Sequence, residues 1–238
     1  MSGRRFQTAF YQLVSRILDP ALCLGCAHSI KPLQFYCVNC IATLTRVNNP
    51  CGLCGLENKS GETLCAACLF DPPRWQNLVA PLKYQGLTRD LLLQLKYADS
   101  LHLANSLVTR FIDAFANIHP APEILLPVPL HRQRLLERGY NQAFEIARIL
   151  SQALDIPVDT QSLRRIRNTA SQSGLSAHLR EKNILGAFAY QPTRPWSRVA
   201  VVDDIITTGS TASEITKTLH RAGCPHVEIW GLGRASKD

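Results

Sequence analysis

Eight of the nine cysteines fall between Cys23 and Cys68, as four C-x-x-C pairs: Cys23/Cys26, Cys37/Cys40, Cys51/Cys54 and Cys65/Cys68. Ten residues separate each pair from the next. A C-x-x-C turn aims two thiolates at one point, and two such turns complete a tetrahedral zinc site. A single pair would carry little weight; four at even spacing read as two structural zinc sites. Disulfides would need an oxidising compartment, and iron–sulfur clusters use tighter cysteine runs. Equal gaps leave three ways of joining the turns. The first and third turns hold a glycine (CLGC and CGLC), whereas the second and fourth do not (CVNC and CAAC). That makes a 28-residue unit used twice. It favours sequential sites, Cys23/Cys26/Cys37/Cys40 and Cys51/Cys54/Cys65/Cys68, with the interleaved arrangement still open. So short a segment cannot fold on its apolar core alone, and metal binding would supply its folding free energy. Cys224 stands apart and reads as a loop thiol with no assigned role.

The second reactive pattern is VAVVDDIITTGST, Val199 to Thr211. An apolar strand ends in Asp203 and Asp204, a loop of small and hydroxyl residues follows, and a helix begins. In open parallel sheets ligands bind beyond the carboxyl ends of the strands, where this loop would sit. Thr207, Thr208, Gly209, Ser210 and Thr211 offer backbone N–H groups and hydroxyls to a phosphate, and the helix adds its positive end. Asp203 and Asp204 can accept hydrogen bonds from neighbouring sugar hydroxyls. The same pattern also suits an ordinary capped strand–turn–helix. Two adjacent acids at a buried strand end are costly without partners, and that favours a ligand site.

The elements that must position these groups follow from periodicity. Residues 5–18 put Phe6, Phe10, Leu13, Val14 and Ile17 on one helical stripe that reads as a docking face. FDPPRW, Phe70 to Trp75, reads as a linker. LTRDLLLQLKYA and LHLANSLVTRFIDAFANI read as two helices. From Glu123 strands and helices alternate: ILLPVPL, QAFEIARILSQAL, IPV, GAFAY, RVAVVDD, TASEITKTLHRAG and HVEIWGL. That order predicts an α/β fold, a parallel sheet flanked by helices with right-handed crossovers. The expected domains are residues 1–75, with the N-terminal helix and cysteine array, and residues 76–238.

The chain has 238 residues, 46% of them hydrophobic, which excludes wholesale disorder. No apolar run is long enough to span a bilayer, and no signal segment is read at the N-terminus, so a cytoplasmic protein is expected. The net charge of +8 is spread evenly: 11 Lys/Arg against 7 Asp/Glu over residues 1–120, and 15 against 11 beyond. With no basic tail, charge gives only a mild bias toward phosphates or nucleic acid.

Val202-Asp203-Asp204-Ile205-Ile206-Thr207-Thr208-Gly209-Ser210-Thr211 resembles the phosphoribosyl pyrophosphate (PRPP) signature of type I phosphoribosyltransferases. Leu126 to Arg148, Arg167 to Phe188, and the double cysteine array followed by LKYQGLTRDLLLQLKY resemble the ComF/GntX family. Those proteins join an N-terminal double zinc ribbon to a type I phosphoribosyltransferase domain, and the name comes from natural DNA competence. The resemblance covers nearly the whole chain.

The resemblance implies roles. Asp203 and Asp204 would hold the ribose 2′- and 3′-hydroxyls, and the loop from Ile205 and Ile206 to Thr211 the 5′-phosphate. A loop of Val128, Pro129, Leu130, His131 and Arg132, helped by Arg134 and Arg138, would bind pyrophosphate. A mobile loop over Arg165 to Asn183 would close on the reaction, bringing Arg165, Arg167, Gln172 and Arg180 within reach; Asp203, Asp204, Arg165 and Gln172 are the catalytic candidates. Asn141 would cap the helix after Gly139. Lys96 and Tyr97 are candidates for the acceptor side, because GLGRASKD after the last strand leaves little for a C-terminal hood. The chemistry would be displacement at ribose C1 with Mg²⁺ accompanying PRPP. Two functions follow: phosphoribosyl transfer to an unidentified acceptor, or an accessory role on single-stranded DNA in which the PRPP site senses or docks. Competence and DNA-uptake proteins would be partners.

Overall fold

The computed structural model describes residues 21–31, 36–95, 107–108, 112, 114, 120–168 and 182–236. The stripe over residues 5–18, and Lys96, Tyr97, Gln172 and Arg180, lie outside them. The helix expected over 101–118 is described only at Leu107, Val108, Ile112 and Ala114, all of them helical. The described residues form two compact units, one up to Leu44 and one from Thr45 onward.

In the first unit, β1 (Ala21–Leu22) pairs antiparallel with β2 (Ser29–Ile30), and α1 (Val38–Ala42) follows. The second unit starts with the same device 28 residues on. An antiparallel bridge joins Pro50 and Glu57, where the first unit joins Leu22 and Ser29, and α2 (Ala66–Phe70) stands where α1 stood.

The rest of the second unit is built on a parallel sheet. Its strands are β3 (Asn77–Val79), β4 (Leu82–Lys83), β5 (Ile124–Pro127), β8 (Arg198–Ile206) and β9 (His226–Arg234). The order is β3-β9-β8-β5, with β4 also on β9, and every pairing is parallel. β8 is central, registered on β9 from Arg198↔His226 to Ile206↔Arg234 and on β5 from Ile124↔Val199 to Pro127↔Val202. Such strands are covered on both faces and so read as continuous apolar runs, and Val199 to Val202 are all buried. The IPV segment joins through a parallel bridge between Val158 and Leu125.

Helices supply the cover. In α5 (Gln142–Leu154), Ala143, Ile146, Ala147 and Leu150 are buried at helical spacing. Asn141 caps it as expected, its side chain accepting from the Ala143 N–H at 3.1 Å. α6 (Ser210–Arg221) buries Ala212, Ile215 and Leu219. Two shorter helices, α3 (Gly86–Gln94) and α4 (Arg132–Arg138), lie between. In the second unit one antiparallel pair of described strands stands outside the main sheet: β6 (Leu163–Arg165) with β7 (Phe188–Tyr190). Arg165, expected to open a long loop, therefore closes a strand. Its partner strand was legible; β6 is three residues of mixed character and shows no alternation. Among the described residues no helix is long and apolar enough to cross a membrane.

Candidate functional site

The eight cysteines fall into two sequential sets, Cys23/Cys26/Cys37/Cys40 and Cys51/Cys54/Cys65/Cys68; within each set the sulfurs lie within 4.8 Å of one another. Sγ–Sγ distances are 3.6 Å for Cys23–Cys40, 3.7 Å for Cys26–Cys37 and 3.8 Å for Cys54–Cys65. Zinc–sulfur bonds of about 2.3 Å in a tetrahedron put the sulfurs about 3.8 Å apart, so both sets fit zinc. The main chain repeats as well. The Cys37 N–H donates to Cys23 Sγ, and the Cys65 N–H to Cys51 Sγ. Ala27 and Gly55, each donating to the first carbonyl of its turn, both have positive φ. Burial opposes the Cys23 and Cys51 thiolates, but N–H groups led by those of Cys37 and Cys65 outweigh it and bring both thiols to about 6. Four protein ligands leave no open position, so zinc would supply folding free energy and hold the knuckles without entering a reaction.

The phosphate motif stands at the carboxyl end of β8. Asp203 and Asp204 are half-buried. Asp203 Oδ1 accepts from the Asp204 N–H at 2.9 Å, and Asp204 Oδ1 from the Ile205 N–H at 2.8 Å. Burial and the neighbouring Asp204 push the Asp203 carboxyl well above the usual range, and Arg165 pulls the other way. Thr208 Oγ1 and Ser210 Oγ lie 2.7 Å apart. Gly209 caps α6 with φ +83°, a conformation suited to glycine. The N–H groups of Thr207, Thr208 and Gly209 have no acceptor among the described residues. They are three free donors ahead of a helix.

The neighbouring strand end supplies the second loop. The Val128 N–H donates to Val202 O at 2.8 Å, and the Asn141 side chain donates to Val128 O at 3.0 Å. Pro129 has no N–H. The N–H groups of Leu130 and His131 have no acceptor among the described residues. His131 caps α4, its Nδ1 accepting from the Gln133 N–H at 3.4 Å. Arg132 opens α4 and Arg138 closes it, Arg138 donating to the Gln142 side chain at 3.3 Å. Arg165 lies 5.7 Å from the Phe188 ring centroid. Burial lowers its pKa, Arg134 lowers it further, and Asp203 raises it. Asp203, Arg134 and Arg165 therefore share one electrostatic neighbourhood.

Three residues that sequence reasoning did not single out also belong here. Tyr140 donates its hydroxyl to the Leu95 carbonyl. Burial pushes its pKa up to about 12, Asp204 adding to the rise and Arg138 opposing it. Buried Trp75 donates its indole N–H to Leu53 O at 2.6 Å, and a methyl group on Gly209 would stand 3.0 Å from the same ring. Buried Arg234 donates from Nε to Cys54 O at 2.6 Å and from Nη1 to Ile206 O at 2.9 Å, to Ala235 O at 2.8 Å and to Thr207 O. Burial lowers its pKa, and the sulfurs of Cys54 and Cys68 favour its charged form. A cleft of about 770 Å³ runs beside these links, between the second cysteine set and the phosphate loop.

No family model matches the chain. It is 34% identical over 227 residues to Competence protein F of Haemophilus influenzae, spanning 92% of this chain and 93% of that protein. The chain belongs to the ComF family. A second relative, the DNA utilization protein YhgH of Escherichia coli K12, is 32% identical over 90% of this chain and 97% of its own length. Competence protein ComFC of Bacillus subtilis is 23% identical over 82% of this chain and 81% of its own. Among solved structures, the glutamine PRPP amidotransferase of B. subtilis aligns at 18% identity with a TM-score of 0.40, covering 59% of this chain and 30% of that one.

Proposed function

We propose that the protein binds PRPP with Mg²⁺ and transfers its phosphoribosyl group to an acceptor, in DNA utilisation of the kind named for its relatives. The observation that carries this reading is a set of paired acids and free loop N–H groups at the carboxyl ends of β5 and β8, with arginines of α4 and β6 in the segments that follow β5. Asp203 and Asp204 accept the ribose hydroxyls. The N–H groups and hydroxyls of Thr207 to Thr211 hold the 5′-phosphate. The Leu130 and His131 N–H groups, with Arg132, Arg134, Arg138 and Arg165, hold the pyrophosphate. Mg²⁺ would arrive with the pyrophosphate and offset its charge. A nitrogen nucleophile attacks C1; the N–C1 bond forms as the C1–O bond breaks, pyrophosphate leaves with the electron pair, and the nucleophile's proton passes to solvent. Positioning and charge neutralisation carry such a step, with no nucleophilic side chain.

Calorimetric titration of PRPP with Mg²⁺ tests this on the zinc-loaded protein and on Asp203→Ala/Asp204→Ala. Heat of binding in the first and none in the second is expected. A wild type that takes up no PRPP overturns the reading. If PRPP binds, nucleobases and single-stranded DNA are then screened as acceptors for pyrophosphate release.

The names of the relatives and the net charge of +8 favour a second reading. In it the protein is a non-catalytic accessory that holds single-stranded DNA and uses the same loop to sense or dock. Its mark is single-strand affinity that falls steeply with salt. No affinity at low salt removes it.

A further inference from the structure

Among the described residues, three links join the Cys51–Cys54 turn itself to the sheet edge. The Leu78 N–H donates to Gly52 O at 2.8 Å, tying the third C-x-x-C turn to β3. Trp75 donates to the Leu53 carbonyl, and its ring stands 3.0 Å from where a methyl group on Gly209 would be. Arg234 reaches from the Cys54 carbonyl to those of Ile206 and Thr207. Two of the three therefore end on the phosphate loop, and both begin inside the Cys51–Cys54 turn.

The geometry of the peptide bond gives the Arg234 link its consequence. In a trans peptide the carbonyl and the following N–H point in opposite directions. With the Ile206 and Thr207 carbonyls held on Arg234, the N–H groups of Thr207 and Thr208 face away from it. Those are two of the free donors of the loop. Arg234 thus aims the donors without touching what they bind. It makes no ion pair with a carboxylate among the described residues. A zinc tetrathiolate carries net negative charge and would be the nearest compensation for this buried cation. Without metal the turn loses most of what fixes it, and the Cys54 carbonyl no longer anchors the guanidinium.

We propose that metal occupancy of the Cys51/Cys54/Cys65/Cys68 site sets the affinity of the Thr207–Thr211 loop for phosphate, with Arg234 and Trp75 as the positioning residues that carry the effect. The Cys23/Cys26/Cys37/Cys40 site has no part in it. The inference rests on the phosphate reading of the loop and adds its regulation. Coupling between two sites is reciprocal, so a ligand on the loop must tighten the hold on the metal by the same factor.

Ribose 5-phosphate is the probe, because it carries the diol and the phosphate without a chelating pyrophosphate. Zinc is withdrawn at equilibrium by graded chelator and followed with a colorimetric indicator, with and without the probe. The wild type is expected to give up two zinc equivalents in two phases of the titration, with saturating ribose 5-phosphate raising the free chelator needed for one of them about tenfold. Arg234→Gln brings that same phase to lower chelator, leaves the other unchanged and abolishes the response to the probe; Arg234→Lys, which keeps the charge but not the fork, restores part of it. Calorimetry gives the reverse arm, about tenfold weaker ribose 5-phosphate binding in Arg234→Gln. A wild type that binds ribose 5-phosphate while neither phase responds overturns the coupling and leaves the phosphate site standing. A wild type that binds no ribose 5-phosphate overturns both. If Arg234→Gln fails to fold, the wild-type release arm decides alone.

Discussion

The two cysteine sets share one design and differ in what they hold. Both have the same spacing, one matching N–H to sulfur bond from the third cysteine to the first, and a short helix that begins inside the second turn. In the first set, a methyl group on Gly25 would stand 2.8 Å from Cys40 Sγ, inside its own cluster. The second turns its main chain outward. Gly52 O, Leu53 O and Cys54 O all accept from residues of the sheet unit, Leu78, Trp75 and Arg234. A metal knuckle is thus a rigid rack of carbonyls. What it does depends on which donors meet the rack, and the metal ligands themselves do not reveal that.

The largest test of this contrast removes one ligand from each set. Cys51 is fully buried and Cys26 is exposed. Structural zinc contributes on the order of 10 kcal/mol, comparable to the whole stability of a domain. Cys51→Ser is expected to lose one zinc and lower the main thermal transition by about 10 °C or more, at about 2–4 °C per kcal/mol for a chain this size. Cys26→Ser loses one zinc and leaves that transition in place. Metal analysis with scanning calorimetry reads both, and equal shifts would break the contrast.

A smaller effect separates the phosphate loop from the ribbon that supports it. Gly61 and Gly209 both have positive φ, +79° and +83°, but only Gly209 has a neighbour, the Trp75 ring at 3.0 Å from an added methyl. Gly61→Ala should cost about 1 kcal/mol, from backbone conformation alone. Gly209→Ala should cost about 2–3 kcal/mol, because the ring is pinned to Leu53 O and cannot yield. Denaturant midpoints check this; equal costs would mean that the ring is not fixed.

The smallest expected shift is the only upward one. The Asp203 carboxyl has a higher pKa folded than unfolded, from burial and Asp204. The folded state therefore binds the proton more tightly. The resulting cost to stability is absent below the unfolded value, about 4, and grows as pH rises through the folded one. Asp203→Asn should raise the melting temperature at pH 7, lose that advantage toward pH 4, and weaken PRPP binding. A variant less stable at pH 7 would refute it.

Much of this was legible from residues in order. Evenly spaced cysteines, the acids and glycine of Asp203 to Thr211, and the apolar stripes of α5 and α6 are local patterns, and the elements formed where the patterns lie. The pairing of turns into sequential zinc sites was favoured by two glycines, and the sulfur positions decide it. Arg234 and Trp75 were not legible. Arg234 meets Cys54 across 180 residues of sequence, through a carbonyl that every residue possesses. A side chain that recognises main chain leaves no pattern in its partner. Nor could β6 be read, since three residues carry no period.

The strand order also bears on synthesis. Among the described residues β3 and β4 have one partner strand, β9, and about 150 residues separate β3 from it. At about 5–20 residues per second, roughly 8–30 s pass between their emergence from the ribosome. The cysteines are made first and can take up metal while the sheet that receives the second knuckle does not yet exist. The rack is built long before the last of its donors arrives, and β9, the last described strand to appear, carries Arg234 and locks β3, β4 and the phosphate loop together in one step.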